Sequence, residues 1–190
     1  MTIKSLLLGG GLLVAGSLWV RGDFFHTMAD DLSKVYFGAD SLSATEWDAQ
    51  AFNSGSATHL VSVTLNLFRD EAASGTYWVR LYDQSGPGSN PGSTPVATLA
   101  SELNIADLSP GSENVVGFFC VGVNLQANRN YYIVVGTDTG ATGLRWGFTN
   151  DPLGARGFPS LFSFTPDSGA SWRLTWTPLP QRMRITGFSW

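Results

Sequence analysis

The sequence predicts an all-β protein: an antiparallel β-sandwich, jelly-roll-like, of about ten strands. Three observations carry this. Short runs of alternating apolar and polar residues recur at roughly 10-residue spacing, separated by clusters of Gly, Pro, Asn, Asp and Ser. No amphipathic helical period lies between them, which argues against a βαβ arrangement. The composition agrees, with 22 glycines, 13% aromatic residues and only 14% charged residues, against about a quarter charged in an ordinary soluble domain. At 190 residues the chain has room for one domain with a substantial core. Net charge is −4 and no basic tract occurs, so nucleic acid is an unsuitable partner. The single cysteine, Cys120, sits in the apolar run VVGFFCVGV and reads as a buried small hydrophobe. One cysteine excludes an internal disulfide framework and a Cys-based zinc site.

Residues 5–20 are apolar and uncharged, follow Lys4 and end at Arg21-Gly22. This is the layout of a cleaved secretory signal over 1–22, with Val20 and Gly22 at the small-residue positions before the cut. A retained anchor is the alternative, but the run falls short of the ~20 residues that span a bilayer. The reading leaves 23–190 as a single sandwich domain, and no stable membrane span once the signal is removed.

Taken in order, a first strand is expected around Val35 to Phe37, with one helical turn at Asp30-Asp31-Leu32. Residues 46–53 alternate, with Trp47, Ala49 and Ala51 on one side and Glu46, Asp48 and Gln50 on a polar, solvent-facing edge. Residues 59–83 read as a long hairpin. Val61, Val63, Leu65 and Leu67 share one face of its first strand, a polar loop spans 70–75, and the second strand puts Tyr77, Val79 and Leu81 opposite Trp78, Arg80 and Tyr82. Residues 84–95 are nearly all turn formers. A short strand or strand pair covers 96–105. The run 115–123 is continuously apolar, as a strand covered on both faces would be. Residues 131–137 (YYIVVGT) form a central strand, and 144–149 a further one. Residues 150–167 are irregular. Two alternating strands, 172–176 and 182–188, close the domain, with Trp172 and Trp176 on a shared core-facing side.

The succession WDAQAF, HLVSVTLNL, VRLYDQSG, NPG, VATLASEL, GVNLQANRNYYIVV and RMRITG resembles the choice-of-anchor R type of bacterial extracellular domain, over about residues 40–188. The resemblance implies a secreted or surface-associated β-sandwich. Such proteins carry variable C-terminal sorting tails, often a Pro-Glu-Pro motif, a membrane span and basic residues. This chain ends at Trp190 without one, so the resemblance does not extend to an anchor.

Chemistry-bearing constellations are few. Glu46-x-Asp48-x-Gln50 has the spacing of a Glu-x-Asp-x-Glu glycosidase strand, but Gln50 cannot exchange a proton, which reduces it to a degenerate site. His26 and His59 lack metal-site spacing, and no Gly-x-Ser-x-Gly elbow occurs. The run 86–92 imitates a phosphate loop in composition only. Asp138 and Asp167, loop acids near Gly140 and Gly169, are weak candidates for a structural calcium, with turn formation as the plain alternative. No other cofactor is implied. Trp78, Arg80, Tyr82 and Trp146 are the candidate ligand contacts, if their rings lie exposed in a strip for sugar stacking. Buried packing is the alternative.

Together these readings predict a secreted or cell-surface bacterial protein without catalytic activity. Its role would be structural or adhesive in the extracellular matrix or envelope, with extracellular polysaccharide or other surface proteins as the partner classes. A carbohydrate-binding module and a degenerate glycoside hydrolase are the alternatives. A subunit of an extracellular assembly would show an unpaired edge strand or an exposed apolar patch.

Overall fold

The computed structural model describes residues 26–32, 34–150, 161–175 and 179–189. The predicted signal at 1–22 and Trp176 lie outside them. Twelve strands occur among the described residues. They are β1 (His26–Asp30), β2 (Tyr36–Leu42), β3 (Trp47–Asn53), β4 (His59–Ser74), β5 (Thr76–Asp83) and β6 (Ala97–Asn104) in the first half of the chain. The second half supplies β7 (Glu113–Asn124), β8 (Asn130–Thr137), β9 (Thr142–Thr149), β10 (Phe162–Thr165), β11 (Arg173–Thr175) and β12 (Met183–Phe188).

These strands form two antiparallel sheets, one of order β1-β12-β4-β9-β2 with β7 also on β4, the other of order β11-β10-β3-β8-β5-β6. The protein is a β-sandwich of jelly-roll type. Consecutive strands mostly alternate between the sheets; within a sheet, β5–β6 and β10–β11 are the pairs adjacent in sequence. In the first sheet β7 lies along one side of β4, while β12 and then β9 lie in succession along the other. That sheet is therefore narrower than the second.

The core sits between the sheets. Leu60, Val63, Leu65 and Leu67 of β4 and Leu144 and Trp146 of β9 meet Tyr77, Val79 and Leu81 of β5 and Ile133 and Val135 of β8, all buried. Each fully buried aliphatic chain is worth about 1.5–3 kcal/mol. β8 lies between β3 and β5 and is buried throughout its length after Asn130, as its sequence predicts.

Several expectations are corrected. Residues 59–83 are not a hairpin: β4 runs on to Ser74 and β5 joins the other sheet. Gly75, at φ 93°, makes the corner, and a Cβ there would come within 2.6 Å of Ala141. Asp70, Glu71 and Ala72 are exposed within an irregular stretch of β4, between the Arg69–Leu144 and Ser74–Thr142 pairs, and not in a loop joining β4 to β5. A register shift between Leu60 and Ser62 puts Leu60, rather than Val61, into the core. Asp30-Asp31-Leu32 forms no helix; β1 ends at Asp30. Within 150–167, Phe162-Ser-Phe-Thr forms β10.

Arg182, buried at the start of β12, closes the seam where β12 and β9 meet beside β4. Its guanidinium donates to Asn66 Oδ1 (2.9 Å), Glu113 Oε1 (3.0 Å) and the Leu32 carbonyl (2.7 Å). Its carbonyl accepts from Trp146 Nε1 (3.2 Å) and from the Asn66 amide (3.1 Å), and its amide donates to the Gly147 carbonyl (2.7 Å). A Cβ at Gly147 would lie 2.3 Å from Asn66 Oδ1, so this position must stay bare. Arg182→Ala should lower unfolding free energy by about 3 kcal/mol in urea denaturation, because it leaves buried acceptors unpaired. Arg184→Ala, which removes the half-exposed Arg184–Asp30 pair, should cost less than about 1 kcal/mol. Equal costs would contradict the assignment.

Candidate functional site

The predicted ligand face is buried. Trp78 and Tyr82 do lie opposite Tyr77, Val79 and Leu81, but they point into a second apolar layer on the outer face of the wider sheet. That layer comprises Ala49, Ala51, Tyr132, Val134 and Leu161, flanked by Trp47, Trp172 and Leu174. Trp47 meets Trp78 edge-on with ring centroids 4.6 Å apart, and Tyr82 meets Trp172 edge-on at 6.2 Å. The Arg80 guanidinium covers the Trp78 ring at 3.9 Å. The Tyr132 hydroxyl donates to the Ser89 carbonyl at 2.7 Å, which ties the turn-rich 84–95 loop across this face. Trp146 lies in the other core, between the sheets. No strip of exposed rings exists at Trp78, Tyr82 and Trp146, because both faces of the wider sheet are covered. The half-buried Trp172 does line a surface pocket of about 310 Å³ with Pro87, Asn90 and Pro91.

Of the predicted solvent face at residues 46–50, Glu46 is exposed but Asp48 and Gln50 are buried, as are Ala49 and Ala51 on the other face. β3 is flanked by β10 and β8, and Asp48 and Gln50 point inward with Phe52. Gln50 Oε1 accepts from the Gln181 amide (3.0 Å), and Gln50 Nε2 donates to the Leu161 carbonyl (3.3 Å). Gln181 Nε2 in turn donates to Asp40 Oδ2 on β2 (2.6 Å). A chain of amides thus joins the two sheets.

Beside this chain lies a cleft of about 330 Å³, walled by Asp40 of β2, Glu46, Asp48 of β3, Phe162 and Phe164 of β10, and Thr175 of β11. Asp48 is 3% exposed, and its Oδ2 has no hydrogen-bond partner. Burial, reinforced by the charges of Asp40 and Glu46, pushes its carboxyl well above the ordinary range. Burial also raises Asp40; the Gln181 hydrogen bond opposes this and the Glu46 charge adds to it. Phe162 and Phe164, two residues apart on β10, stack with centroids 6.4 Å apart. Asp40 thus supplies a third carboxylate near the Glu46–Asp48 pair. Sequence alone did not bring it there, since β2 and β3 belong to different sheets. Gln50 meanwhile serves as a cross-link between Gln181 and Leu161.

The calcium candidates are engaged otherwise. Asp167 accepts from Thr165 Oγ1 (2.7 Å), the Ser171 amide (2.7 Å) and Ser171 Oγ (2.6 Å), which hold its carboxyl below the ordinary range. Asp138 accepts from Thr76 Oγ1 at 2.5 Å. Both are turn-side acids tying neighbouring loops. Among the described residues no group of three His, Cys, Asp or Glu side chains is placed to hold a metal ion.

β7 departs from expectation in the other direction. Among the described residues it pairs with β4 alone, and the side chains of its apolar run are covered on one face only. Val116, Phe118 and Cys120 point inward, and burial raises the Cys120 thiol to about 11. Val115 (60% exposed), Phe119 (86%) and Val121 (95%) point outward. The residues that outline this surface were all visible in the sequence, but an unbroken apolar run does not reveal that one of its faces is open.

No family model matches the sequence, and no curated protein matches it. A solved structure similar to the chain is the D431N mutant VP2 protein of infectious bursal disease virus, in derived T=1 particles. It shares 11% sequence identity at a TM-score of 0.26, with 88% of this chain and 33% of that one covered. The chain spans about a third of that protein's length, and likeness at this level carries no functional argument. Among the described residues no helix is long and apolar enough to cross a membrane.

Asp31 shares the predicament of Asp48. It is buried, its Oδ1 accepts from the Met183 amide (2.5 Å), and its Oδ2 has no partner. Burial raises its carboxyl to about 8 despite the opposing Met183 hydrogen bond and Arg182 charge. Folding therefore tightens proton binding at both residues. Their contribution is complete below the unfolded carboxylate range near pH 4 and is lost as pH rises through the folded values. Stability from equilibrium urea denaturation should fall between pH 5 and pH 8 by roughly 1–3 kcal/mol, and the Asp31→Asn/Asp48→Asn double variant should flatten the slope. A stability rising over that range would contradict this.

Proposed function

We propose that this is a secreted or cell-surface, non-catalytic structural protein of the extracellular matrix or envelope, and that it assembles through the outer side of β7. The observation that carries the reading is the exposed row Val115, Phe119 and Val121 on a strand that, among the described residues, is paired on one side. Natural edge strands are normally blunted by charges or proline. Here residues 114–124 hold neither. A bulge opposite Leu60 and Ser62 interrupts the far end of the strand but leaves 113–119 in regular register with β4. A second copy suits the vacant side. Two β7 strands can pair antiparallel about a two-fold axis, which sets their uncharged rows side by side on one face of the joined sheet. What supports a location outside the cell is the sequence: the uncharged run behind Lys4 and the resemblance over residues 40–188. The carbohydrate-module alternative loses the Trp78, Tyr82 and Trp146 platform on which it depended.

Sedimentation velocity tests the proposal. The protein should associate with rising concentration, and Phe119→Lys/Val121→Lys should shift the midpoint at least tenfold upward. Its thermal midpoint should stay near that of the parent, because both side chains are exposed. A parent that stays monomeric throughout, or a variant that associates equally well, would refute self-assembly through β7.

A further inference from the structure

We propose that the cleft between β2 and the β10–β11 arm binds an organic cation, a primary ammonium group on a short alkyl stem. This is independent of assembly through β7, which uses a different strand.

The argument begins with a deficit. Asp48 is almost wholly buried, lines the cleft, and has an oxygen with no donor. Buried polar atoms are nearly always paired, so an unpaired carboxyl oxygen on a residue that lines a cleft marks a place for an incoming donor. Asp40 and Glu46 lie beside it, and among the described residues no basic side chain lines the cleft, although the Arg173 guanidinium lies 6.0 Å from the Phe164 ring. An entering cation relieves the mutual repulsion of the three acids, which a neutral hydroxyl compound does not. An ammonium carries three N–H donors, one of which can serve the unpaired Asp48 carboxyl. The Phe162 and Phe164 rings on the β10 wall suit both the alkyl stem and the charge. The volume of about 330 Å³ fits a group of side-chain size. A metal ion suits the site less well. Asp40 Oδ2 is already occupied by Gln181, and no three acids among the described residues converge as metal ligands.

Calorimetric titration of the full-length protein near pH 7 tests this, using n-butylamine as a free amine and Nα-acetyl-lysine amide as a side-chain mimic, with n-butanol and calcium as comparisons. Saturable binding of an amine but not of butanol is expected. It should release protons, read from the heat in two buffers of different ionisation enthalpy, because a bound ammonium favours the ionised form of Asp48. Asp48→Asn should weaken binding at least tenfold. If that variant does not fold, Glu46→Gln and Phe164→Ala should each weaken it severalfold. Binding of butylamine alone would identify a small free amine as the ligand source; binding of both would admit a lysine side chain. The proposal is overturned if neither amine saturates at tens of millimolar, if the variants bind as the parent does, or if calcium displaces the amine.

Discussion

The structure depends on two adjacent residues, Gln181 and Arg182. Neighbours along an extended chain point to opposite faces, and here each face is used. Arg182 holds the narrow sheet together where it would otherwise part: β12 and β9 abut beside β4, and the guanidinium draws in Asn66 from β4, Glu113 from β7 and the Leu32 carbonyl after β1. Gln181 spans the space between the sheets, donating to Asp40 on one side and Gln50 on the other. Seam and cleft therefore share one origin. The arrangement is polar and buried, so it adds specificity of register more than net stability.

The second constraint is coverage. The wider sheet is packed on both faces, against its partner sheet and against the layer of Trp47, Trp172 and Leu161. This explains how a chain with 14% charged residues keeps the aromatics of its wider sheet, Trp78, Tyr82 and Tyr132 among them, buried. It also confines exposed apolar surface to particular places. Val115, Phe119 and Val121 on β7 are one; Val35, Tyr36 and Phe37, where β2 begins, are another. Both lie on strands of the narrow sheet, which no second layer covers to the same extent.

Much of the fold was legible in the sequence. Alternation located β3, β4, β5 and β12, and the apolar run at Tyr131 to Val135 marked a central strand, because period-2 patterning is a local property. Which strands pair is not local. Residues 67–77 look like a hairpin until Gly75 sends β5 to the other sheet. Sidedness is ambiguous for the same reason. Trp78 and Tyr82 alternate with Val79 and Leu81 in just the way an exposed binding strip would, and only the 84–95 loop and Trp172, distant in sequence, decide that they are covered. At the cleft, Asp48 was recognised by its spacing to Glu46, but Asp40 and the two phenylalanines arrive from strands whose neighbours no spacing rule supplies.

Residue-resolved amide hydrogen exchange of the native protein tests the organising role of Gln181 and Arg182 most directly. The amides of Asn66, Arg182 and Met183, which bond to the Arg182 carbonyl, the Gly147 carbonyl and Asp31 respectively, should exchange among the slowest in the molecule and with a common opening free energy. Exchange of these three at rates typical of exposed strand ends, while β8 stays protected, would contradict the account.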